Sequence, residues 1–389
     1  MTHYRNYFTR ICLLAVLLVG TLSGCNSSAG GSEPTQGEVI VYVGVPLTGF
    51  QANAGQTVLG GVRLAAAEAN YNGGLNGYKI VIRGLDDESD DDVAVGNIQT
   101  IQDALDKGEK VVGVIGHLNS GQTSAALEQY SKMPFVVITP TASELSITQH
   151  NYRNFFRINA NDAVQADTLT RFLSQKLTAK SVAVIYNDSS YGKGLSQEIS
   201  KRLTSSGIKI ALNLEIKEGQ STFTAELPRI KNAAPDAIFY AGYETETPYL
   251  REALVTNGIQ APMVASDGAF LSVTIDEANG TAEGLYVSSF APSPKSIASS
   301  NWIEGYQAVE SRNPDTYSVN GYVALSVLLE GARKANNFNS EAIANAIRAN
   351  TFKTVIGDLR YQPNGDLVDA HIYMYQVNQN EFQQVNWEK

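Results

Sequence analysis

The sequence predicts an α/β protein of two lobes, each a doubly wound parallel sheet, joined by a multi-strand hinge. Three observations predict it. Short unbroken apolar runs such as VIVYVGV (39–45) and SVAVIY (181–186) alternate with amphipathic helical stretches, as in parallel strands covered on both faces. The strand–helix series stops after Phe155–Arg157 and then begins again, a repeat of architecture rather than of alignable sequence. The 389 residues exceed one core and fit about two domains.

In chain order, residues 39–45 predict the first strand and 57–70 a helix with Val58, Val62, Leu64, Ala65 and Ala69 inward. A turn-rich break at 72–77 leads to a strand at 79–85 and a helix at 93–106. Residues 111–116 and 135–139 predict neighbouring strands around a helix at 122–131. The second series has helices at 162–175, 192–205, 223–233 and 247–256, with strands at 181–186, 208–216, 237–241 and 263–265. A strand at 284–290 precedes helices at 300–309, 320–336 and 340–349, and strands at 358–361 and 372–377 close the chain. The late helices imply a return to the first lobe. The expected division is 38–160 with 291–367 for the N-terminal lobe, and 161–290 with 368–389 for the C-terminal lobe.

The front of the chain reads as a targeting segment. Arg5 and Arg10 precede an apolar run, 11–20, too short to span a bilayer, and small residues follow. Leu22-Ser23-Gly24-Cys25 resembles a bacterial lipobox, which implies a signal peptide of 1–24, cleavage before Cys25 and lipid on its thiol. Residues 25–37 then form a flexible tether. The chain has 2 cysteines, Cys12 and Cys25, so the mature body holds no disulfide and no catalytic thiol.

Composition excludes other classes. Apolar residues make up 43% and charged residues 17%, an ordinary globular balance. The net charge of −10, with no basic cluster, argues against nucleic acid and against electrostatic docking on anionic lipid. The acidic run 86–92 lacks the glycine and distal glutamate of a calcium loop and reads as a polar loop favouring the next helix start.

The chemistry concentrates beyond the carboxyl ends of the predicted strands, where such sheets bind ligands. The loops His117–Gly121 and Pro140–Ser143 put hydroxyls and helix-start N–H groups at one edge, a place for a small carboxylate. Asp267, at another strand end, supplies negative charge for an ammonium. Taken singly, Ser120 could be an N-cap, Tyr191 and Tyr243 ordinary half-buried tyrosines, and Asp267-Gly268 a turn.

The lipobox, VGVPLTG (43–49), GHLNSGQTS (116–124), ITPTAS (138–143), YNDSSYGKG (186–194), FYAGY (239–243) and SDG (266–268) follow the order of a known family. Over essentially the whole mature chain the sequence resembles the type I periplasmic binding proteins for branched-chain amino acids, the bilobed "Venus-flytrap" class. The resemblance implies a free L-amino acid, neutral or branched-chain, held in the interlobe cleft and delivered to an ABC permease with its ATPase. It implies no cofactor, no catalytic residue and no metal, a monomer, and an extracytoplasmic location anchored through lipidated Cys25. For the ligand carboxylate it implies Ser120, Thr141 and Ser143; for the amine, Ser143, Tyr191, Tyr243 and Asp267. The family also uses glutamate at this last position, and the shorter aspartate moves the ammonium or needs a water between. Around the ligand side chain the expected residues are Phe50, Ala54, Asn119, Tyr317 and Asn320. Ala54 stands where branched-chain binders often place an aromatic, so broad neutral specificity is as well supported as strict Leu/Ile/Val.

Other functions remain open. The same fold could bind urea, short amides or another small carboxylate, which would not need an acid at Asp267, or could serve a sensor. A hydrolase has little support: His117, His150 and His371 lack metal-ligand spacing, and no G-x-S-x-G elbow or P-loop occurs.

Overall fold

A computed structural model describes residues 31–297 and 299–387; the leader, Cys25 and the start of the tether lie outside the described residues. The first sheet holds β1 (Glu38–Val45), β2 (Lys79–Asp86), β3 (Val111–Gly116), β4 (Val136–Thr139) and β5 (Phe155–Arg157) in the order β2-β1-β3-β4-β5. All its pairs are parallel, with Glu38 opposite Lys79 and Val45 opposite Asp86 in the longest register. Helices cover both faces, which is why β1, β3 and β4 are continuous apolar runs.

The second sheet contains β6 (Ser181–Asn187), β7 (Lys209–Ile216), β8 (Ala237–Ala241), β9 (Met263–Ala265) and β10 (Tyr286–Ser289). A hairpin of β11 (Phe352–Thr354) and β12 (Gly357–Leu359) follows, and then β13 (Tyr373–Asn378) and β14 (Glu381–Gln384). The sheet order is β14-β13-β10-β9-β8-β6-β7, parallel except where β13 and β14 add antiparallel strands at one edge. Its parallel part, β7-β6-β8-β9-β10, repeats the order of the first sheet strand for strand. The architecture is thus duplicated, and so is its switch point: between β1 and β3 in one sheet, between β6 and β8 in the other.

The chain leaves the first sheet after β5, returns after β10, and leaves again before β13. Residues 158–161 and 368–372 of these crossings are not strands, since between the two sheets no neighbouring strand offers a ladder. Residues from the returning segment, including Trp302, Tyr306, Val323, Leu328 and Ile347, share one core with Val39, Val41 and Val43 of β1.

Three helix starts or spans depart from the expected ones. The helix expected at 320–336 is Thr316–Ala335, because Asp315 and Ser318 form a capping box ahead of its first apolar residue. The helix expected at 93–106 is two, Asp91–Gly96 and Ile98–Asp106, the first capped by Asp90 and the break fixed where Asn97 donates to the Asp86 carbonyl at 2.7 Å. The helix expected at 57–70 starts earlier and spans Ala52–Tyr71.

The helices Ala52–Tyr71 and Thr316–Ala335 touch backbone to backbone through glycines. A Cβ on Gly61 would stand 1.9 Å from the Ser318 carbonyl oxygen, and one on Gly321 would stand 2.2 Å from that of Val58. Gly61→Ala must therefore push the helices apart, and is expected to destabilise the protein by about 1–3 kcal/mol or more. Urea titration of the variant against the unaltered protein checks this; an unchanged midpoint would contradict the close packing.

Candidate functional site

The carboxyl ends of both sheets converge on one cavity. The loop after β1 contributes Gln51; that after β3, Leu118, Asn119 and Ser120; that after β4, Thr141 and Ala142. From the second sheet come Tyr191 after β6, Tyr243 after β8, and Asp267 with Gly268 after β9. Tyr317, in the first turn of Thr316–Ala335, completes the wall. The two switch points thus face each other, and each gives the loops of its own central strands.

One end of this cavity is built to donate. The helix Ser120–Tyr130 begins at Asn119, whose side chain makes no cap bond and instead donates from Nδ2 to Gln51 Oε1 at 2.7 Å. The helix start therefore keeps its N–H groups for something else. Ser120 Oγ accepts from the Ser143 and Glu144 N–H groups, both at 3.3 Å. With both lone pairs taken, its hydrogen is left to donate. The Thr141 hydroxyl is different: it donates to the Leu118 carbonyl at 2.5 Å, so toward the cavity it offers only an acceptor.

The opposite end carries charge. Asp267 is 4% exposed; its Oδ1 accepts from the Tyr191 hydroxyl and from Gln165 Nε2 at 2.8 Å. No side chain among the described residues donates to its other oxygen, and the backbone N–H groups of Asp267 and Gly268 also favour the charged form. Burial pushes this carboxyl up to about 6, against the hydrogen bonds from Tyr191 and Gln165 that hold it down. Tyr191 stacks on Tyr243 with ring centroids 5.4 Å apart, and the Tyr317 hydroxyl donates across the cleft to the Asp267 carbonyl at 3.2 Å.

Of the residues expected from sequence, Asn119, Ser120, Thr141, Tyr191, Tyr243, Asp267 and Tyr317 line the cavity. Four others do not. Phe50, in the turn before the helix Ala52–Tyr71, is 53% exposed, whereas Ala54, inside the helix, faces the first core. The place expected for them is taken by Gln51. Asn320, one helical turn beyond Tyr317, is buried and does not line the cavity, and its Oδ1 has no partner among the described residues. Ser143 sits behind the wall, its buried hydroxyl beside the Asp162 carboxyl without closing a hydrogen bond.

Gln51 and Gln165 escaped the sequence reading. Gln51 sat in plain view between two named residues, but only the start of the helix decides which of the three faces inward. Gln165, on the helix Asp162–Arg171, bonds to Asp267 and to Ser288 across a long sequence separation, and no local pattern marks it.

Comparison with known proteins follows this geometry. Residues 41–381 match the profile of the family described as periplasmic binding protein. The Leu/Ile/Val-binding protein homolog 1 of Brucella abortus (strain 2308) is 29% identical over 85% of this chain and 87% of its own length. The leucine-, isoleucine-, valine-, threonine-, and alanine-binding protein of Pseudomonas aeruginosa is 28% identical over the same shares. A leucine binding protein from Thermotoga maritima MSB8 superposes with a TM-score of 0.81, at 24% identity, covering 90% of this chain and 98% of that one.

Beyond Asp267, burial raises further acids around the cleft: Asp162 and Glu218 to about 7, Glu244 to about 8, and Asp315 to about 6. A carboxyl whose folded pKa is raised binds its proton more tightly folded than unfolded, so lowering pH through that window adds stability. The ligand-free protein is expected to unfold at higher temperature as pH falls from about 8 to about 5. Calorimetric scans across that range test it, and a falling midpoint would show these acids to be solvated.

Proposed function

The chain belongs to the periplasmic binding protein family, and on that premise we propose that it is the extracytoplasmic substrate-binding component of an ABC importer for a neutral amino acid. One observation carries the reading: a cavity with donors at one end and a buried carboxylate at the other, drawn from two lobes. The helix start and Ser120 hydroxyl suit an α-carboxylate. The open oxygen of Asp267 suits an α-ammonium, with the Thr141 hydroxyl oxygen as a further acceptor.

Electrostatics narrows the ligand. The mouth beside the cavity is lined by Asp90, Asp91, Asp92, Asp188 and Glu218, which disfavours an acidic side chain. A ligand held by both lobes stabilises the closed arrangement, because the full contact set exists only there. In this reading the closed form docks on a permease whose ATPase supplies the energy, the chain itself performs no chemistry, and lipidated Cys25 tethers a monomer to the membrane. The named relatives, whose names give leucine, isoleucine, valine, threonine and alanine, support a neutral amino acid.

Calorimetry on the purified protein, unfolded and refolded to strip carried-over ligand, tests the reading. Neutral L-amino acids are expected to bind tightly and urea and acetamide not at all. Asp267→Ala removes one partner of a desolvated pair and is expected to weaken binding by roughly 3–5 kcal/mol, more than a hundredfold. Its unfolding midpoint should stay level or rise, since a buried charge is lost. Unchanged affinity in that variant, or binding of the amides alone, would defeat the assignment.

A further inference from the structure

The cavity wall supplied by β1 and β3 is not apolar. Gln51 is 1% exposed and its Oε1 is gripped from two sides, by Asn119 Nδ2 at 2.7 Å and the Ser89 hydroxyl at 2.8 Å. Both amides stand at helix starts where a capping bond is expected, and neither caps. That arrangement fixes the two amides against each other and leaves two groups over. Gln51 Nε2 and Asn119 Oδ1 bond to nothing among the described residues, and both residues line the cavity.

The remainder does not depend on how the amides are assigned. If both were turned over, Gln51 Nε2 would donate to Asn119 and Ser89, leaving Gln51 Oε1 and Asn119 Nδ2 instead. Either way one donor and one acceptor stay open on two residues that both line the cavity. A carboxamide presents the complementary pair, an acceptor and a donor on one planar group. An aliphatic side chain would cover both wall groups and satisfy neither, which a buried site resists strongly. A carboxylate could accept from the donor, but it would find nothing for the acceptor and would face the acidic mouth.

We propose that the pocket is built for a neutral amino acid with a carboxamide side chain, glutamine or asparagine, and that Gln51 sets this preference. The proposal rests on the zwitterion reading of the same cavity, whose Leu118 and Ala142 flank the path of the side chain's methylenes.

The test is competitive calorimetry on the refolded, ligand-free protein with L-glutamine, L-asparagine, L-leucine and L-glutamate. Glutamine or asparagine is expected to bind at least about tenfold tighter than leucine, with glutamate weakest. Gln51→Leu is expected to lose about tenfold or more for the amide ligand and to gain for leucine. Equal losses for both ligands would make Gln51 a positioning residue for Asn119 and overturn its assigned role. Leucine binding as tightly as glutamine to the unaltered protein would overturn the proposal while leaving amino-acid binding intact. That ranking decides even if the variant does not fold. Failure of every amino acid to bind would remove the underlying reading as well.

Discussion

Arg157 has no access to solvent, and the cavity floor hangs on how its guanidinium is satisfied. It stands at the end of β5, where the chain leaves the first sheet. Its Nε lies 2.8 Å from Asp366 Oδ1, in the segment that leads into the last crossing. Its other nitrogens donate to the Ala142 carbonyl at 3.0 Å, the Glu144 carbonyl at 3.1 Å and the Thr148 hydroxyl at 3.0 Å. Those carbonyls belong to the loop after β4, whose N–H groups at Ser143 and Glu144 hold Ser120 Oγ. One buried cation therefore ties two crossing segments to the loop that orients the proposed carboxylate donor. Burial pulls its pKa down while Asp366 pulls it up, and the pair endures because carbonyls complete the shell.

Six helix starts elsewhere in the fold are capped within the chain. Asp90, Asn161, Ser189, Ser299, Asp315 and Asn339 all cap their helices. At the cavity this habit stops. Asn119 does not cap, and among the described residues the Ser120 hydrogen finds no acceptor and one oxygen of Asp267 no side-chain donor. Such groups are expensive to bury unpaired, so the folded protein holds a set of unmet demands whose shape is that of a ligand. The raised acids around the cleft point the same way: in the proposed reading an ammonium beside Asp267 offsets their charge.

What the sequence made legible follows from how local each signal is. The strand Ala237–Ala241 and the helices Thr247–Thr256 and Ser340–Ala349 were predicted to the residue, because unbroken apolar runs and amphipathic periods are written within single elements. The start of Thr316–Ala335 was placed late, since Asp315 and Ser318 look like loop residues until the box closes. Ser120, Tyr191, Tyr243 and Asp267 could be named because the family resemblance implies them and each falls close to the end of a predicted strand. Arg157 with Asp366, Gln165 with Asp267, and His117 with Asp87 at 2.6 Å in a buried pair could not. Each is a contact between distant segments of the chain, with nothing in either segment to announce it.

The duplicated strand order explains why these demands fall between the lobes and not within one. Each sheet, ordered 2-1-3-4-5 in its own count, presents its switch point at the carboxyl ends of its first and third strands. Two such sheets facing one another bring corresponding loops together, yet the loops are not chemically equivalent. The first lobe gives neutral dipoles: a free helix start, hydroxyls and two amides. The second gives aromatic rings and the one carboxylate that lines the cavity. Neither half alone complements both ends of a zwitterion. In the proposed reading a ligand that fills the cavity bridges the halves, and it favours closure by the difference between its affinities for the closed and open arrangements. Selectivity for a dipolar ligand and coupling to lobe motion are one property of this division, not two.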